Sequence, residues 1–131
     1  MSETQQDEYA SLLMHYPDID RNRQSIHDCL QRTGTPTFIC DRTILQDRYR
    51  RLADSLASHW GPSVIGYSFK TNYLVARSRI FQDLGGWAEV VSAREYDLAR
   101  SLGVDGKQII FNGPHKPEES LKTAISDGAM I

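Results

Sequence analysis

Strand-like runs recur along this chain at a nearly constant interval, and that repeat limits the folds available to it. The four runs start 23, 21 and 21 residues apart, at Val64, Trp87, Gln108 and Ala129. A helical pattern fills each interval and ends at a glycine, a residue that commonly terminates helices, at Gly85, Gly103 and Gly128. Strands that alternate with helices at this period predict βαβ units and a parallel sheet, which must close into a barrel or be covered on both faces.

The length of the chain decides how much of a barrel it can hold. An eight-stranded (β/α)8 barrel of the TIM type takes about 250 residues, whereas this chain has 131. If this α/β sheet closes into such a barrel, the chain holds its first half at most, with unpaired strand edges and an exposed inner face. A truncated polypeptide is the preferred explanation, and a complete small domain is the alternative. Helices should cover the outer side of the sheet through Leu45, Leu52, Leu98, Leu102, Leu121 and Ile125.

The first part of the chain differs in composition from the repeat. Its first twenty residues hold five acidic residues and no lysine or arginine, so residues 1–33 are predicted to be a polar extension that is solvated or packs on a partner. The domain that contains the repeat is predicted to span residues 34–131 and to begin with a strand at residues 37–40. An amphipathic helix should follow, since one helical stripe carries Leu45, Tyr49, Leu52 and Leu56.

Charge and residue usage exclude several classes of function. The net charge is -2 with a pI near 6.0, and no basic cluster is interleaved with aromatic residues, so no nucleic-acid partner is expected. No apolar run approaches the roughly 18 residues of a spanning helix, and the acidic N-terminus is unlike a signal peptide, which predicts a cytoplasmic protein without a membrane partner. Cys29 and Cys40 are expected to be free thiols, and the four scattered histidines predict no metal site.

One lysine differs from the other basic residues of the chain. There are eleven arginines and only four lysines, and Lys70 is the only lysine before Lys107. It follows the run SVIGYSF, whose pattern predicts burial, and alternation puts it on the strand face of Gly66 and Ser68, opposite Tyr67. A buried lysine suggests a nucleophilic amine, a role that guanidinium cannot fill. On the pattern alone, a surface lysine just past a strand end explains the sequence equally well.

The segment YSFKTN at residues 67–72 resembles the lysine motif of the pyridoxal-phosphate decarboxylases with an alanine-racemase-like barrel, the family of diaminopimelate and ornithine decarboxylases. The resemblance continues in register through GGWAEVVSAREYDLARSLGV and QIIFNGPHK, and it covers about residues 35–131. Three motifs in the right order and at matching spacing make the resemblance specific. It implies an α/β fold that is the N-terminal portion of a (β/α)8 barrel, incomplete in this chain, with residues 34–131 as the first part of the barrel domain that binds pyridoxal phosphate. It also implies a decarboxylase that acts on a diaminopimelate-, ornithine- or lysine-like amino acid and that is a homodimer in its full-length form.

The resemblance also implies roles for individual residues. Lys70 would bind pyridoxal 5'-phosphate as a Schiff base, which needs a neutral amine that partial burial favours, and Ser68 would line the face beside it. Glu89 takes the position of an acid that is more often aspartate in the family, and pairing with a nearby basic residue is its other interpretation. Ser92 matches a family serine, but Ser92 and Glu95 also fit a helix capping box.

Two asparagines complete the predicted cofactor site. Asn72 is expected either to orient the lysine or to cap the next helix, and Asn112 lies in a strand-to-helix loop that borders the active site in the family. His115, in the same loop, is a weaker candidate, because a solvated loop histidine is the commoner case. The family's phosphate loop, the acid that faces the ring nitrogen and the C-terminal domain are expected beyond Ile131, so these 131 residues alone should be inactive.

Two other functions are compatible with the same cofactor. A non-enzymatic barrel protein that binds pyridoxal phosphate is the main alternative, although such proteins usually lack the asparagine two positions after the lysine. A racemase is disfavoured, because alanine racemases follow that asparagine with a Tyr-Gly-His-Gly segment, whereas Asn72 is followed here by Tyr73, Leu74 and Val75.

Overall fold

The chain divides into two compact units, Met1–Cys40 and Asp41–Ile131, and the computed structural model describes residue 19 and residues 21–131. Most of the predicted polar extension lies outside the described residues, and a barrel domain that starts at residue 34 stays a prediction. The described part of the first unit contains helix α1 (Arg23–Thr33). The second unit alternates helices and short strands: α2 (Arg42–His59), β1 (Gly66–Ser68), α3 (Val75–Asp83), β2 (Trp87–Val90), α4 (Ala93–Ser101), a 3-10 turn (Gly106–Gln108), β3 (Ile109–Phe111) and α5 (Glu118–Ser126).

The three strands form one parallel sheet in the order β1-β2-β3. Ser68 lies opposite Glu89 in the first pair of strands, and Glu89 lies opposite Ile110 in the second. A single parallel bridge joins Ile110 to Met130, where the fourth strand was predicted to start. The predicted repeat of strands and helices, and the parallel sheet that follows from it, are therefore confirmed.

Local signals in the sequence determine where the helices begin and end. The Asp41 carboxylate accepts hydrogen bonds from the backbone N–H groups of Thr43 (2.7 Å) and Ile44 (3.1 Å), which starts α2. The glycines predicted to follow the next three helices all adopt a positive φ, which is 85° at Gly85, 86° at Gly103 and 79° at Gly128. The chain returns to the sheet at each of these glycines.

The core lies on one face of the sheet, between the strands and helices α4 and α5. Alternate residues of the second and third strands point toward this core and are buried: Ala88, Val90, Ile109 and Phe111. Tyr96 of α4 packs against them, with its ring centroid 5.5 Å from that of Phe111. The residues between them along each strand point to the opposite face, which is partly exposed.

Two apolar residues predicted to pack on the sheet are exposed instead, Leu52 to 50% and Ile125 to 61%. In α2, Ala53 takes the inward position because it lies one turn after Tyr49 on the same side of the helix. In α5, Ala124 is fully buried, and Ile125 points about 100° away from it around the helix axis. The prediction was wrong at both sites because the neighbouring alanine, and not the larger apolar residue, faces the inside of the fold.

The strand predicted at residues 37–40 does not form. These residues make no ladder hydrogen bonds within the described part of the chain, and Phe38 and Ile39 are both exposed. The apolar run TFIC shows only that its residues suit a strand, whereas a strand is stabilised by its pairing with neighbouring strands. The prediction was wrong because the described residues contain no partner strand for this segment.

Tyr96, Arg100 and Asp127 form a polar cluster that joins α4 to the end of α5. The Tyr96 hydroxyl donates to Asp127 Oδ2 (2.7 Å), and Arg100 Nε lies 3.2 Å from the same oxygen. Burial, together with the hydrogen bond to Asp127, raises the pKa of Tyr96 to about 12. The folded state therefore favours the neutral phenol.

This phenol should make stability depend on pH in the alkaline range. Because the pKa of Tyr96 is raised from 10.0 to about 12, its contribution to folding is complete below pH 10 and is lost as the pH rises toward 12. Tyr96→Phe keeps the ring packed on Phe111 but lacks the titrating group. The difference in urea midpoint between the two proteins should shrink as the pH passes 10, and a constant difference would contradict this prediction.

Candidate active site

Lys70 lies in a turn that directly follows β1. The strand ends at Ser68, and Thr71 closes the turn, because its backbone N–H (3.3 Å) and its hydroxyl (2.8 Å) both donate to the Ser68 carbonyl. Phe69 anchors the turn, since its side chain is buried and its N–H donates to the Glu89 carbonyl (2.9 Å). Lys70 itself is exposed. The predicted burial is wrong because the strand, and with it the alternation of faces, ends before the lysine.

Small and polar side chains line the strand face beside this turn. Ser68 Oγ donates a hydrogen bond to Glu89 Oε2 across the two strands, so the described partner of this acid is a serine and not the basic residue considered from the sequence. A Cβ added at Gly66 would lie 3.2 Å from Ile110 Cδ1, which shows that glycine lets the third strand's side chain approach the first strand closely. Within residues 21–131 the Lys70 amine makes no hydrogen bond or ion pair. An unpaired amine and a hydroxyl–carboxylate pair thus lie at the same end of the sheet.

Asn72 tightens the loop between the lysine and helix α3. Its Oδ1 accepts from the Leu74 N–H (3.0 Å), a turn typical of asparagine, while the N-cap position of the helix is taken by Leu74. Its backbone carbonyl accepts from the Tyr67 hydroxyl (2.7 Å). The sequence placed Tyr67 on the strand face opposite Lys70, where its ring stacks on Phe81 of α3, but it did not predict this hydrogen bond. The available signal was that a packed tyrosine hydroxyl generally finds a partner.

Ser92 and Glu95 form the predicted cap of α4. Ser92 Oγ accepts from the Glu95 N–H (3.3 Å), and Glu95 Oε2 accepts from the Val91 N–H (2.9 Å), one residue before the N–H used in a regular capping box. Both side chains therefore help to start the helix. The Ser92 hydroxyl can still donate its own proton, because capping uses it as an acceptor. A contact between Ser92 and the cofactor stays a prediction.

Removal of the cap should destabilise the protein without a change in fold. Ser92→Ala should lower the free energy of unfolding by about 0.5–2 kcal/mol, as measured by the urea midpoint. Ser92→Asp is the matched control, since its carboxylate can still accept from the Glu95 N–H and should keep the stability close to that of the wild type. A Ser92→Ala variant as stable as the wild type would contradict the capping role.

The loop after β3 approaches the loop after β2 through Gly113. A Cβ on this residue would lie 2.5 Å from the Val91 carbonyl oxygen, and φ is 136°, so only glycine fits here. Asn112 and His115 are exposed, and Asn112 Oδ1 accepts from the Gly113 N–H (2.9 Å). The structure brings this loop to the same edge of the sheet as Ser92, while the described contacts of Asn112 stay within its own loop.

A cavity of about 180 Å³ lies at this edge, between the loop that follows Lys70 and the start of α4. Its lining residues are Tyr73, Ser92, Arg94, Glu95 and Leu98. A larger cavity of about 430 Å³ lies at the opposite, N-terminal end of the strands, against Ile65 and Trp87. Because parallel α/β folds bind ligands at the C-terminal ends of their strands, the smaller cavity belongs to the candidate site.

The described part of the chain contains neither a membrane span nor a metal cluster. None of its helices is long and apolar enough to cross a membrane. No three of its His, Cys, Asp and Glu side chains come together in a way that could hold a metal ion. Cys29 is half-buried and Cys40 is exposed, and both thiols are free.

Residues 43–131, about two thirds of the chain, match the family described as pyridoxal-dependent decarboxylase, pyridoxal binding domain. An L-glutamyl-(BtrI acyl-carrier protein) decarboxylase of Niallia circulans is 33% identical over 99 residues, and the diaminopimelate decarboxylase of Pseudomonas aeruginosa is 28% identical over 98 residues. Both alignments cover 75% of this chain but only 22% and 23% of these relatives. The chain thus spans less than a quarter of their length.

Solved structures of the same kind share the fold. The diaminopimelate decarboxylase of Methanocaldococcus jannaschii, in co-complex with L-lysine, is 27% identical with a TM-score of 0.67 over 78% of this chain and 24% of that one. A lysine/ornithine decarboxylase of Vibrio vulnificus complexed with cadaverine, at 22% identity, has a TM-score of 0.69 over 83% of this chain and 29% of that one. The predicted fold class, the N-terminal portion of a (β/α)8 barrel that is incomplete in this chain, is confirmed. The chain therefore belongs to the family of pyridoxal-dependent decarboxylases, and its residues 43–131 correspond to the domain that binds pyridoxal 5'-phosphate.

Proposed function

We propose that residues 34–131 form the first part of the catalytic barrel of a pyridoxal-phosphate-dependent amino-acid decarboxylase, which binds its cofactor as a Schiff base at Lys70. The observation that carries the proposal is the position of this lysine. Its amine is exposed and unpaired among the described residues, in a turn at the C-terminal end of β1. Parallel barrels place their reacting groups at this end, and the family match supports the assignment.

The residues around Lys70 suit a flat, electron-poor ring. Ser68 is small and lies at the end of β1 beside the lysine turn, whereas Ile110 Cδ1 fills the position next to Gly66 on the inner face. Pyridoxal phosphate, when bound, supplies the electron sink for the electron pair left on the α-carbon when the carboxylate departs as carbon dioxide. Lys70 provides the nucleophilic amine, and the Ser68 hydroxyl holds the Glu89 carboxylate on the inner face. This hydrogen bond orients the Glu89 side chain at the end of β2, and the Lys70 amine has no hydrogen-bond or ion-pair partner among the described residues.

Asn72, Ser92 and Asn112 are proposed as further contacts to the cofactor. The amide oxygens of both asparagines accept bonds from backbone N–H groups in their own loops, while their NH2 groups have no partner among the described residues. Ser92 likewise uses its hydroxyl oxygen as an acceptor. Three donors therefore remain at this edge of the sheet for an anionic ligand such as a phosphorylated cofactor.

As substrate we propose an amino acid with a free α-amine, of the diaminopimelate, ornithine or lysine type. The names of the relatives support this class, and the structure from Methanocaldococcus jannaschii contains L-lysine. The Niallia circulans relative is named for an L-glutamyl group carried on a protein, so a panel of acids must decide between substrates. The full-length protein is proposed to be a cytoplasmic homodimer.

Two measurements on the full-length protein test this function. Borohydride reduction followed by peptide mapping should place the pyridoxal label on Lys70, and label on another lysine would overturn the assignment. Release of carbon dioxide should occur with at least one basic or dibasic amino acid in a panel that includes meso-diaminopimelate, ornithine and lysine. Cofactor binding without release from any amino acid would identify a non-enzymatic binding protein instead.

A further inference from the structure

We infer that Tyr67 is a positioning residue that fixes the turn carrying Lys70, an inference that rests on the proposed role of that lysine. Tyr67 lies on β1, with its side chain on the helix-packing side of the strand. Its ring stacks on Phe81 of α3 with a centroid separation of 4.2 Å and an interplanar angle of 18°, and Phe69 contacts it edge-on at 6.0 Å. Packing from two sides holds the ring, and therefore its hydroxyl, in one place.

The Tyr67 hydroxyl bonds the far side of the lysine turn. It donates a 2.7 Å hydrogen bond to the backbone carbonyl of Asn72, five residues later in the chain. The near side is held independently, because Thr71 donates to the Ser68 carbonyl and the following strand binds the Phe69 N–H. Lys70 lies between these two points of attachment, so the position of its backbone depends on both.

The side chains of the turn itself do little to hold the turn in place. Lys70 and Thr71 are exposed, and the Asn72 side chain bonds to Leu74 within the same loop. The hydrogen bond from the Tyr67 hydroxyl to residue 72 differs from these, because it comes from a side chain that is itself held in place by aromatic packing. Loss of this hydroxyl should therefore loosen the C-terminal half of the turn while leaving the strand in place.

The test compares Tyr67→Phe with Tyr49→Phe in the full-length protein. Tyr49 contacts the same Phe81 ring at 5.8 Å, but its hydroxyl makes no hydrogen bond within the described residues. In cofactor-free Tyr67→Phe, the backbone amide of Leu74, which donates to Asn72 Oδ1, should exchange with solvent faster than in the wild type, whereas that of Phe69 should not change. The Kd for pyridoxal phosphate should rise about 2- to 10-fold, the effect of one hydrogen bond, and the pH at which the Schiff-base absorption titrates should shift. Tyr49→Phe should change none of these quantities.

Unchanged amide exchange and unchanged cofactor affinity in Tyr67→Phe would overturn the inference. Equal changes in both variants would overturn it as well, because they would show a general role of the aromatic cluster. Amide exchange is measured without cofactor, so it reports on the turn even if borohydride places the label on another lysine. Label on another lysine would refute the proposed function, and the amide exchange rates alone would then decide whether Tyr67 holds the turn.

Discussion

Replacement of Lys70 by alanine or by arginine should abolish covalent cofactor attachment in the full-length protein and lower kcat/KM at least about a thousandfold. Alanine removes the amine. Arginine keeps the positive charge and a long side chain, but its guanidinium stays protonated and cannot act as the nucleophile. A loss in the arginine variant therefore separates the need for an amine from the need for a charge. Because Lys70 is exposed, the thermal midpoints of both variants should stay close to that of the wild type.

Lys107→Ala is the matched control for this experiment. Lys107 is also exposed, but it lies in the 3-10 turn before β3, at the opposite end of the sheet from the lysine turn. Its replacement should leave the Schiff-base absorption and kcat/KM unchanged. If Lys70→Arg kept the wild-type absorption, or if Lys107→Ala lost as much activity as Lys70→Ala, the assignment of the lysine would be wrong.

Truncation of Ile109 to alanine should lower the free energy of unfolding by about 2–5 kcal/mol, whereas the same truncation of Ile125 should cost about 0.5 kcal/mol or less. Ile109 is completely buried in β3, and Ile125 on α5 is 61% exposed. Both variants lose the same atoms, so the difference between them reports on burial. Alanine also suits a helix better than isoleucine does, which further reduces the cost at Ile125.

Urea midpoints of the two variants, followed by circular dichroism in the cofactor-free protein, check this prediction. Ile109→Ala should unfold at a clearly lower urea concentration than the wild type, and Ile125→Ala should coincide with it. Equal shifts in the two midpoints would show that β3 does not contribute its apolar side to the core described above.

The features that could be predicted from the sequence depend on residues close together in the chain. The alternation of strands and helices follows from the spacing of apolar runs and glycines, and the Ser92–Glu95 cap follows from residues three positions apart. Such signals act between residues that are close in the sequence, so they do not depend on how the rest of the chain packs. They were sufficient for the repeat of strands and helices and for the parallel sheet, whereas the barrel was predicted from the resemblance to a family.

The features that were missed depend on where an element ends or on what lies across from it. The exposure of Lys70 depends on a strand that stops at Ser68, and strand ends are not encoded by alternation alone. The Ser68–Glu89 bond joins residues 21 positions apart, which meet because the register of β1 and β2 places them opposite each other. Alternation predicted the face on which Ser68 lies, but the identity of its partner requires the register.

The pairing of each strand with the strand just before it bears on how the protein is made. The register partners on successive strands, such as Ser68 and Glu89, are 21 residues apart, and loops of this length close at a small entropic cost. A ribosome adds about 5–20 residues per second, so about one to four seconds separate the emergence of successive strands. That interval is long compared with the microsecond times in which helices and hairpins form. The sheet can therefore grow in the order in which its strands leave the ribosome, with each new helix covering the apolar face before the next strand arrives.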